Sequence, residues 1–339
     1  MNSKVGNTLK SQKSMISDED QNWKTILTKQ HYALVGEHSG IQICRWTKKS
    51  LLNQGFCYKE KFYGIKSHEC CQMSPAVMWC QNQCEHCWRA IELNLGSKLR
   101  RIDEPEKIIS ECIKAQRKML SGFKGNNKVN MKKWKEAQEP KQFAISLSGE
   151  PTIYPKLVEL ILELRKRKIT SFLVTNGLLP EKILELKKKK ALPTQLYVSL
   201  NYPNEKIFRK ITKNNARNAW KKFNETLILM RKLKTRKVIR MTLVRDLNMD
   251  DNMIKDYAKL VKKTKCDFIE IKGYMSIGFA RQRLGYERMP VHSEIRDFAL
   301  KLLKYLKSGK YKFLDEKKES RVVLLGKDKK KMKIGKSEI

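Results

Sequence analysis

The sequence predicts an α/β fold: an incomplete (β/α)6 barrel, preceded by an N-terminal extension that carries cysteines. Short apolar segments alternate with amphipathic helical segments about six times, which is typical of parallel strands joined by right-handed helical crossovers. Polar motifs lie where the predicted strands stop, the edge at which barrels place their active sites. The 339 residues, 40% of them hydrophobic, suffice for one α/β domain of roughly 200–250 residues with extensions.

The six barrel strands are predicted from short apolar runs bounded by turn residues. The first is a short strand that leads into Cys80. A terminal pair of strands is expected to follow the barrel, at 311–314 and 321–325. The other barrel strands are 143–147, 171–175, 196–200, 238–244 and 268–271.

The helices are predicted from the spacing of apolar residues and from helix caps. A helix that opens at Ser17–Asp20 is expected to run to Gln30. Asp103 caps the next helix, whose apolar stripe from 108 to 120 makes Cys112 a core residue. Later helices are expected at 157–164 and 293–307.

Four segments are expected to lie outside this framework. They are a disordered arm (1–16), an exposed basic loop (122–140), an irregular basic loop (281–290) and a mobile lysine-rich tail (326–339). The predicted division of the chain is 1–40 for the basic arm and first helix, 41–75 for the cysteine-bearing extension, 76–300 for the partial barrel and 301–339 for the C-terminal helix, strands and tail.

The charge balance indicates polyanionic partners. Lys and Arg number 73 against 35 Asp and Glu, a net charge of +38, which favours nucleic acid first and an anionic membrane surface second. A lysine-rich solvated surface is the third reading. No apolar run approaches the ~20 residues that span a bilayer, and residues 1–20 lack the apolar core of a signal peptide. We therefore expect a cytoplasmic enzyme with no membrane segment.

The motif that organises the chain is Cys80, Cys84 and Cys87, spaced C-x3-C-x2-C. Three thiolates in one loop hold a [4Fe–4S] cluster and leave one iron without a protein ligand. An open iron beside an electron source is what reductive cleavage of S-adenosylmethionine requires, and the motif resembles that of the radical SAM superfamily. The competing reading is a structural zinc site with His86 as fourth ligand, although His86 would have to double back.

Most of the nine cysteines lie before residue 90, which favours metal binding over disulfides. Cys44, Cys57 and Cys70 are evenly spaced, a pattern that allows three chain ends to converge on a second metal centre. Buried structural thiols are the alternative. The spacing does not distinguish Cys70 from its neighbour Cys71.

Polar residues follow the predicted strands at Ser148, Gly149 and Glu150, at Asn176 and at Ser199. Each is a candidate cofactor contact, and for each the alternative is an ordinary strand-to-helix cap. Lys59 lies two residues from Cys57. A partly desolvated lysine has a lowered pKa and acts as a nucleophile, whereas most lysines in so basic a chain are solvated.

Four segments together resemble 4-demethylwyosine synthases, the radical SAM enzymes of wybutosine biosynthesis on phenylalanine tRNA. The similarity covers roughly residues 41–300, without a flavodoxin domain before the cysteines. The segments are 57–64, the Cys80–Cys87 loop with Trp88 and Arg89, 148–155, and 281–284.

The resemblance implies two [4Fe–4S] clusters: Cys80, Cys84 and Cys87 hold the cluster that binds S-adenosyl-L-methionine, and Cys44, Cys57 and Cys70 hold an auxiliary one. It implies that Lys59 carries pyruvate as a Schiff base. Ser148, Gly149 and Glu150 match the position that contacts the amino group of S-adenosylmethionine, with Asn176 and Ser199 as contacts to its carboxylate or ribose.

The implied reaction condenses pyruvate with N1-methylguanosine, 3′ of the anticodon in tRNA-Phe. The electron would come from an external donor of flavodoxin or ferredoxin type, and the basic segments 122–135 and 281–288 would hold the tRNA backbone. Asn201 departs from the acidic residue common in the family, which puts a charge-dependent role there in doubt.

Two other functions compete with this one. Another radical SAM enzyme acting on RNA, a methyltransferase or methylthiotransferase, would need neither Lys59 nor the Cys44, Cys57 and Cys70 set. A non-catalytic basic RNA-binding protein with a structural metal would be a zinc protein without clusters.

Overall fold

The computed structural model describes residues 18–335 and residue 338. The arm predicted for residues 1–16 and the cap at Ser17 lie outside the described residues. A single sheet of ten strands runs through the molecule in the order β1-β2-β3-β4-β5-β6-β7-β8-β10-β9. The strands are β1 Ala33–Val35, β2 Ser39–Ile41, β3 Cys70–Ser74, β4 Gln142–Ile145, β5 Thr170–Thr175, β6 Gln195–Ser199, β7 Arg236–Leu243, β8 Phe268–Gly273, β9 Lys312–Lys317 and β10 Val322–Gly326.

The six central strands, β3 to β8, pair in parallel with their sequence neighbours. An antiparallel pair, β1 and β2, flanks β3, and the pair β9 and β10 flanks β8. Within the described residues the sheet has two ends and does not close on itself. The incomplete (β/α)6 barrel is confirmed, as is the predicted terminal strand pair.

Twelve helices are described, and most of them cover the outside of the sheet because their apolar stripes need a partner surface. Two apolar clusters lie between these helices and the strands, and Cys112 is fully buried in one of them, as predicted. The helices are α1 Asp18–Lys29, α2 Arg45–Leu51, α3 Tyr58–Tyr63, α4 Pro105–Ser121, α5 Met131–Glu136, α6 Leu157–Lys166, α7 Pro180–Lys188, α8 Glu205–Thr212, α9 Ala219–Met230, α10 Ile254–Thr264, α11 Ala280–Arg283 and α12 His292–Leu306.

Helix α3 differs from the others because it packs against the inner face of the sheet. Phe62 and Tyr63 are fully buried there, and the Tyr63 ring contacts Phe172 of β5 and Phe268 of β8 at centroid distances of 6.0 and 5.7 Å. These rings form one apolar cluster with Val238 of β7. The extension thus inserts a helix into the concave side of the barrel.

Two segments predicted as loop or tail are ordered elements, so those predictions are wrong. Residues 122–140 contain α5, whose Trp134 packs against Leu120 and donates its indole N–H to the Leu120 carbonyl at 2.9 Å. In the C-terminal segment Met332 is buried in the inner cluster, and Arg236 donates to the Met332 carbonyl at 2.6 Å.

No helix in the described part of the chain has the length and apolar character needed to cross a membrane. The division predicted at residues 40, 75 and 300 stays a prediction. The continuous sheet nevertheless runs across all three of those positions.

Candidate active site

The loop that carries Cys80, Cys84 and Cys87 follows β3 and is held in place mainly through its backbone. Gln83 and Glu85 donate their amides to the carbonyls of Thr212 and Ile211, at 2.8 and 3.1 Å, at the end of α8. The Cys80 amide donates to the Gly96 carbonyl at 2.8 Å. Neighbouring elements therefore hold the loop in place without a disulfide bond. All three thiols are free.

Arg283 of α11 also holds this loop. Its guanidinium donates to the carbonyls of Glu85 at 3.2 Å and Arg89 at 3.1 Å, and to that of Cys87. It also pairs with the Glu92 carboxylate at 2.8 Å. These bonds use the guanidinium within the protein, so the expectation that Arg283 contacts phosphate is not supported.

Buried polar groups along the loop lack partners within the described residues. They are the Gln81 Nε2, Asn82 Nδ2, His86 Nδ1 and Arg89 Nε atoms. Buried donors without a hydrogen bond are rare because desolvation costs free energy. Arg89 is only 2% exposed, and the charges of Cys87 and Cys80 act against burial to raise its pKa. The loop therefore fits a bound group that bears acceptor atoms, as thiolate-ligated iron–sulfur clusters and the S-adenosylmethionine carboxylate do.

A closed zinc site does not match this geometry. Zinc thiolates lie ~3.8 Å apart when Zn–S is about 2.3 Å and tetrahedral. In the described part of the chain, a group of three possible metal ligands whose atoms all lie within 4.8 Å of one another is found at His68, Glu69 and Glu136. The three cysteines of the loop do not form such a group. His86 also does not turn back as a ligand, because its Nε2 lies 3.2 Å from the Asn201 amide. Burial, then Arg283, lowers the pKa of His86 to about 4, so the ring is neutral.

The strand end at β4 supplies the Ser148, Gly149 and Glu150 turn. Ser148 Oγ donates to the Val77 carbonyl at 2.9 Å. Gly149 has a φ of +69°, and a Cβ there would overlap the Ala76 carbonyl oxygen. The turn thus packs directly against the chain that leads into the cysteine loop.

The buried Glu150 carboxylate accepts hydrogen bonds from within the protein. Its donors are the Thr152 hydroxyl and backbone amide at 2.5 and 3.1 Å, the Thr175 hydroxyl at 2.6 Å and the Asn176 backbone amide at 2.7 Å. Burial raises the pKa of Glu150, and these hydrogen bonds oppose the shift. Glu150 therefore joins the ends of β4 and β5, and its contact with a cofactor stays a prediction.

Asn176 and Ser199 follow on neighbouring strands. Asn176 Nδ2 donates to the Gln81 side chain at 3.0 Å and lies 3.8 Å from Cys80 Sγ. Ser199 is partly exposed at the end of β6, and no hydrogen bond of its hydroxyl is found among the described residues. Both line the same edge of the sheet as the cysteine loop, and their cofactor contacts also stay predictions.

The second set of cysteines converges on the inner face of the barrel. Cys44 and Cys57 are the N-caps of α2 and α3, and Cys70 is the first residue of β3. Burial first, then the neighbouring Cys44, raises the pKa of the Cys57 thiol to about 11. Burial also raises the pKa of Cys70 to about 12, and the Lys59 charge opposes this shift. Cys71 points the other way into the outer core, so strand alternation separates the two neighbours.

Lys59 is the buried amine of this site. It is 7% exposed, and its Nζ lies 4.8 Å from the ring centroid of Tyr197 and 5.1 Å from that of Phe172. No hydrogen bond of this Nζ is found among the described residues. Burial lowers the pKa of Lys59, and the nearby Glu270 carboxylate opposes the shift. The residue therefore departs from the solvated lysine that the basic composition favours.

The structure adds polar residues that the sequence analysis missed. Tyr58 and Tyr63 donate to the two oxygens of the buried Glu270 carboxylate at 2.9 and 2.7 Å. Arg240 and Lys272 lie beside this carboxylate on the inner face. A signal was available, because Glu270 and Lys272 alternate with apolar residues in β8 and Arg240 lies between apolar residues in β7.

Two family models match the chain. The Radical SAM superfamily model matches residues 75–258, and the Wyosine base formation model matches residues 263–327. The first range contains the three-cysteine loop and the strand ends, and the second contains α11, α12 and the terminal strands.

The chain is similar to S-adenosyl-L-methionine-dependent tRNA 4-demethylwyosine synthases of several organisms. It is 48% identical to that of Pyrococcus abyssi over 304 residues, which is 89% of this chain and 88% of that relative. It is 39% identical to that of Methanocaldococcus jannaschii, over 91% of this chain and 96% of that relative.

Solved structures give the same picture. A structure described as TYW1 with a lysine-pyruvate adduct bound superposes with a TM-score of 0.81 at 36% identity, covering 95% of this chain and 99% of that one. A crystal structure of archaeal TYW1 superposes with a TM-score of 0.72 at 35% identity, covering 92% and 97%.

Proposed function

The chain belongs to the family of S-adenosyl-L-methionine-dependent tRNA 4-demethylwyosine synthases, and from this membership we propose that it condenses pyruvate with N1-methylguanosine, 3′ of the anticodon in tRNA-Phe. It is a radical SAM enzyme of wyosine formation in tRNA. The observation that carries the proposal is the buried Lys59 amine, which faces the interior of the barrel beside three converging cysteines.

Cys80, Cys84 and Cys87 are the residues that would hold the [4Fe–4S] cluster. When bound, this cluster and S-adenosylmethionine would supply the radical chemistry that removes hydrogen from the N1-methyl group. The chain itself fixes the loop through Arg283 and aligns Asn176 and Ser199 beside it. In our proposal Ser148, Gly149 and Glu150 shape the edge against which S-adenosylmethionine lies.

Lys59 has the chemistry to hold pyruvate. A neutral amine attacks the C2 carbonyl carbon, a C=N bond forms, and the carbonyl oxygen leaves as water. Burial favours the neutral amine because it lowers the pKa of Lys59. The lysine-pyruvate adduct named for the similar TYW1 structure supports this assignment. The N1-methylene radical would first add to this C2 carbon and form the new C–C bond, and the pyruvate carboxyl carbon would then leave with the unpaired electron, which restores the C=N bond to Lys59. Attack by the guanine exocyclic amine on the same carbon would finally displace Lys59 and close the ring.

We propose that Cys44, Cys57 and Cys70 hold a second [4Fe–4S] cluster. Three free thiols from three separate elements converge beside Lys59, which suits a group larger than a single metal ion. Because Cys57 caps the helix that carries Lys59, a group bound there would lie next to the attached pyruvate.

The target base must leave the anticodon stack to reach the barrel interior. We propose that the α11 segment receives the RNA, since Arg283 joins this segment to the cysteine loop. Arg281 is exposed on the same helix, and Tyr286 is 72% exposed, so one side chain can meet phosphate and the other can stack on a base. The segment 122–135 is the second candidate.

The electron is proposed to come from a separate protein of flavodoxin or ferredoxin type. The net charge of +38 would speed its encounter with a donor that has an acidic surface.

Borohydride trapping tests the role of Lys59. The anaerobically reconstituted protein is mixed with pyruvate, reduced and mapped by peptide mass, and we expect a pyruvate adduct on Lys59. Lys59→Ala should lose it. Lys61→Arg is the matched control, because Lys61 lies on the same helix but is solvent-accessible and paired with Asp315 at 2.7 Å. Absence of the adduct from wild type, or its persistence in Lys59→Ala, contradicts the assignment.

An iron count tests the second cluster. We expect about eight irons per chain in the wild type and about four in a Cys44→Ala/Cys57→Ala/Cys70→Ala variant. The matched control is Cys71→Ala, which removes the neighbouring core thiol and should keep about eight. About four irons per chain in a fully reconstituted wild type would mean that the protein holds one cluster, and would contradict the proposed second one.

A further inference from the structure

Arg240 lies on β7 at the level between Lys59 and the cysteine loop. In the strand register it pairs with Ser199 of β6 and Glu270 of β8, so its side chain shares their face of the sheet. Tyr197 precedes Ser199 by two residues on this face, and the Lys59 amine lies over the Tyr197 ring. Arg240 is thus one layer closer to the carboxyl ends of the strands than Lys59.

Arg240 contrasts with Arg236, which lies four residues earlier on the same strand. The Arg236 guanidinium is saturated by the Gln195 side chain at 2.9 Å and the carbonyls of Lys331 and Met332 at 2.9 and 2.6 Å. For the Arg240 guanidinium, neither a hydrogen bond nor an ion pair within 4 Å is found among the described residues. Arg240 is only partly exposed, and a guanidinium that lies largely within a protein usually finds acceptors there, so this one is available to a ligand that enters the barrel.

The neighbouring groups do not fill this need. The Glu270 carboxylate directs its two oxygens to the hydroxyls of Tyr58 and Tyr63. Lys272 has a partner already, because its ammonium donates to the Ser320 carbonyl at 3.1 Å. One buried carboxylate therefore faces Lys59, Arg240 and Lys272, so basic side chains outnumber acidic ones around it.

We propose that Arg240 binds the carboxylate of the 2-oxo acid whose carbonyl condenses with Lys59, and so makes the site selective for 2-oxo acids over neutral ketones and aldehydes. A guanidinium holds a carboxylate through two parallel hydrogen bonds, which would fix C2 near the amine. This inference rests on the proposed use of pyruvate by the enzyme. It assigns Arg240 to substrate binding, while Lys59 forms the bond.

The test measures pyruvate binding apart from imine formation. In reconstituted Lys59→Ala protein, the dissociation constant of labelled pyruvate is compared before and after adding Arg240→Gln. We expect binding about 30-fold weaker or more, as for a buried charge pair that loses one partner. Arg236→Gln in the same background is the control: it lowers thermal stability and leaves pyruvate affinity unchanged.

A second measurement uses the intact lysine. Borohydride trapping compares pyruvate with the neutral methyl pyruvate, and Arg240→Gln should lower the trapping ratio of pyruvate to the ester at least about tenfold. Arg240→Lys keeps a positive charge beside Glu270 and so preserves folding, and it should lower the ratio to an intermediate value because it lacks the paired donors.

The outcomes separate the two proposals. If wild type gives no adduct but pyruvate binding still depends on Arg240, the Schiff base is wrong and Arg240 is a carboxylate site. Equal pyruvate affinity with and without Arg240→Gln, at equal iron content, overturns the inference. The inference is also overturned if Arg240→Gln loses iron while the protein that keeps its clusters binds pyruvate with unchanged affinity. Arg240 would then stabilise the cluster held by Cys44, Cys57 and Cys70 and would not bind the substrate.

Discussion

Gly149 lies between β4 and Glu150 with a φ of +69°, and its α-carbon packs against the chain that leads into the cysteine loop. Gly149→Ala adds a Cβ that meets the Ala76 carbonyl in a backbone conformation unfavourable to alanine. We expect the free energy of unfolding to fall by more than about 2 kcal/mol, measured by urea denaturation.

A second glycine gives the control for this change. Gly122 has open space around its Cβ position and a φ of −63°, so Gly122→Ala should leave stability within about 0.5 kcal/mol of the wild type or raise it slightly. Equal stability of Gly149→Ala and Gly122→Ala would contradict the close approach at position 149.

His38 gives a prediction about pH. Its Nε2 accepts the Asp103 amide at 3.0 Å, so its Nδ1 donates to the Pro75 carbonyl at 2.6 Å and the ring is neutral. Burial lowers the pKa of His38, with the Pro75 carbonyl and Asp103 opposing. A lowered histidine pKa means stability is complete above the unfolded value of about 6.5 and is lost as the pH falls below it.

We therefore expect the free energy of unfolding to decline below pH 6.5 by up to about 1.4 kcal/mol per pH unit from this group. In His38→Gln this part of the slope should disappear, even if the variant is less stable throughout. Urea titrations between pH 7 and 5 measure the difference, and parallel pH profiles for both proteins would refute the assignment.

At the scale of elements, α11 and the cysteine loop behave as one unit because Arg283 joins them. Arg283→Gln removes donors to three loop carbonyls, so we expect weaker retention of the S-adenosylmethionine cluster. The measurement is iron content and cluster absorbance after gel filtration. Arg281→Gln on the same helix is the matched control and should keep the iron, since Arg281 is exposed. Equal iron loss in both variants would argue against a role of the Arg283 hydrogen bonds in holding the cysteine loop.

The same elements indicate what the sequence could reveal. The apolar runs that became β4 to β8 were located to within one or two residues, because each is bounded by turn residues and largely buried. The order in segments 122–140 and 326–335 was missed, since the apolar residues that anchor them, such as the partly buried Trp134 and the buried Met332, are hidden among lysines. Local composition describes the solvated side chains and says little about one residue that reaches the core.

For the whole molecule, the net charge predicts a steep salt dependence of tRNA binding. Each phosphate contact contributes a slope of about −0.7 to −0.9 in a plot of log affinity against log salt. We expect Arg281→Gln to reduce the magnitude of the slope by about that amount, measured by filter binding. Lys259→Gln, on the outer helix α10 and paired with Asp256, should not change it. A slope unaltered by Arg281→Gln would remove α11 from the RNA interface.

The site as a whole was predictable only where chemistry follows local spacing. Cys80, Cys84 and Cys87 were identifiable from their spacing, whereas the resemblance to the family indicated Lys59 and the set Cys44, Cys57 and Cys70, and all of these roles stay predictions. Arg240 lies on β7, whereas Glu270 and Lys272 lie on β8, so the three residues come together only when these two strands pair. The contact of Arg283 with the cysteine loop was not foreseen for the same reason, since its partners are almost 200 residues away in the chain.

Helix α3 carries Cys57 at its cap and Lys59 in its first turn, and it is wedged by Phe62 and Tyr63 against the strands. The Cys57 thiol and the Lys59 amine are therefore fixed relative to each other, and a movement of the helix changes the positions of both. To engineer this enzyme for a bulkier acyl donor, helix α3 should be kept and the space made on the facing strands, by replacing Phe172 or Tyr197 with a smaller residue.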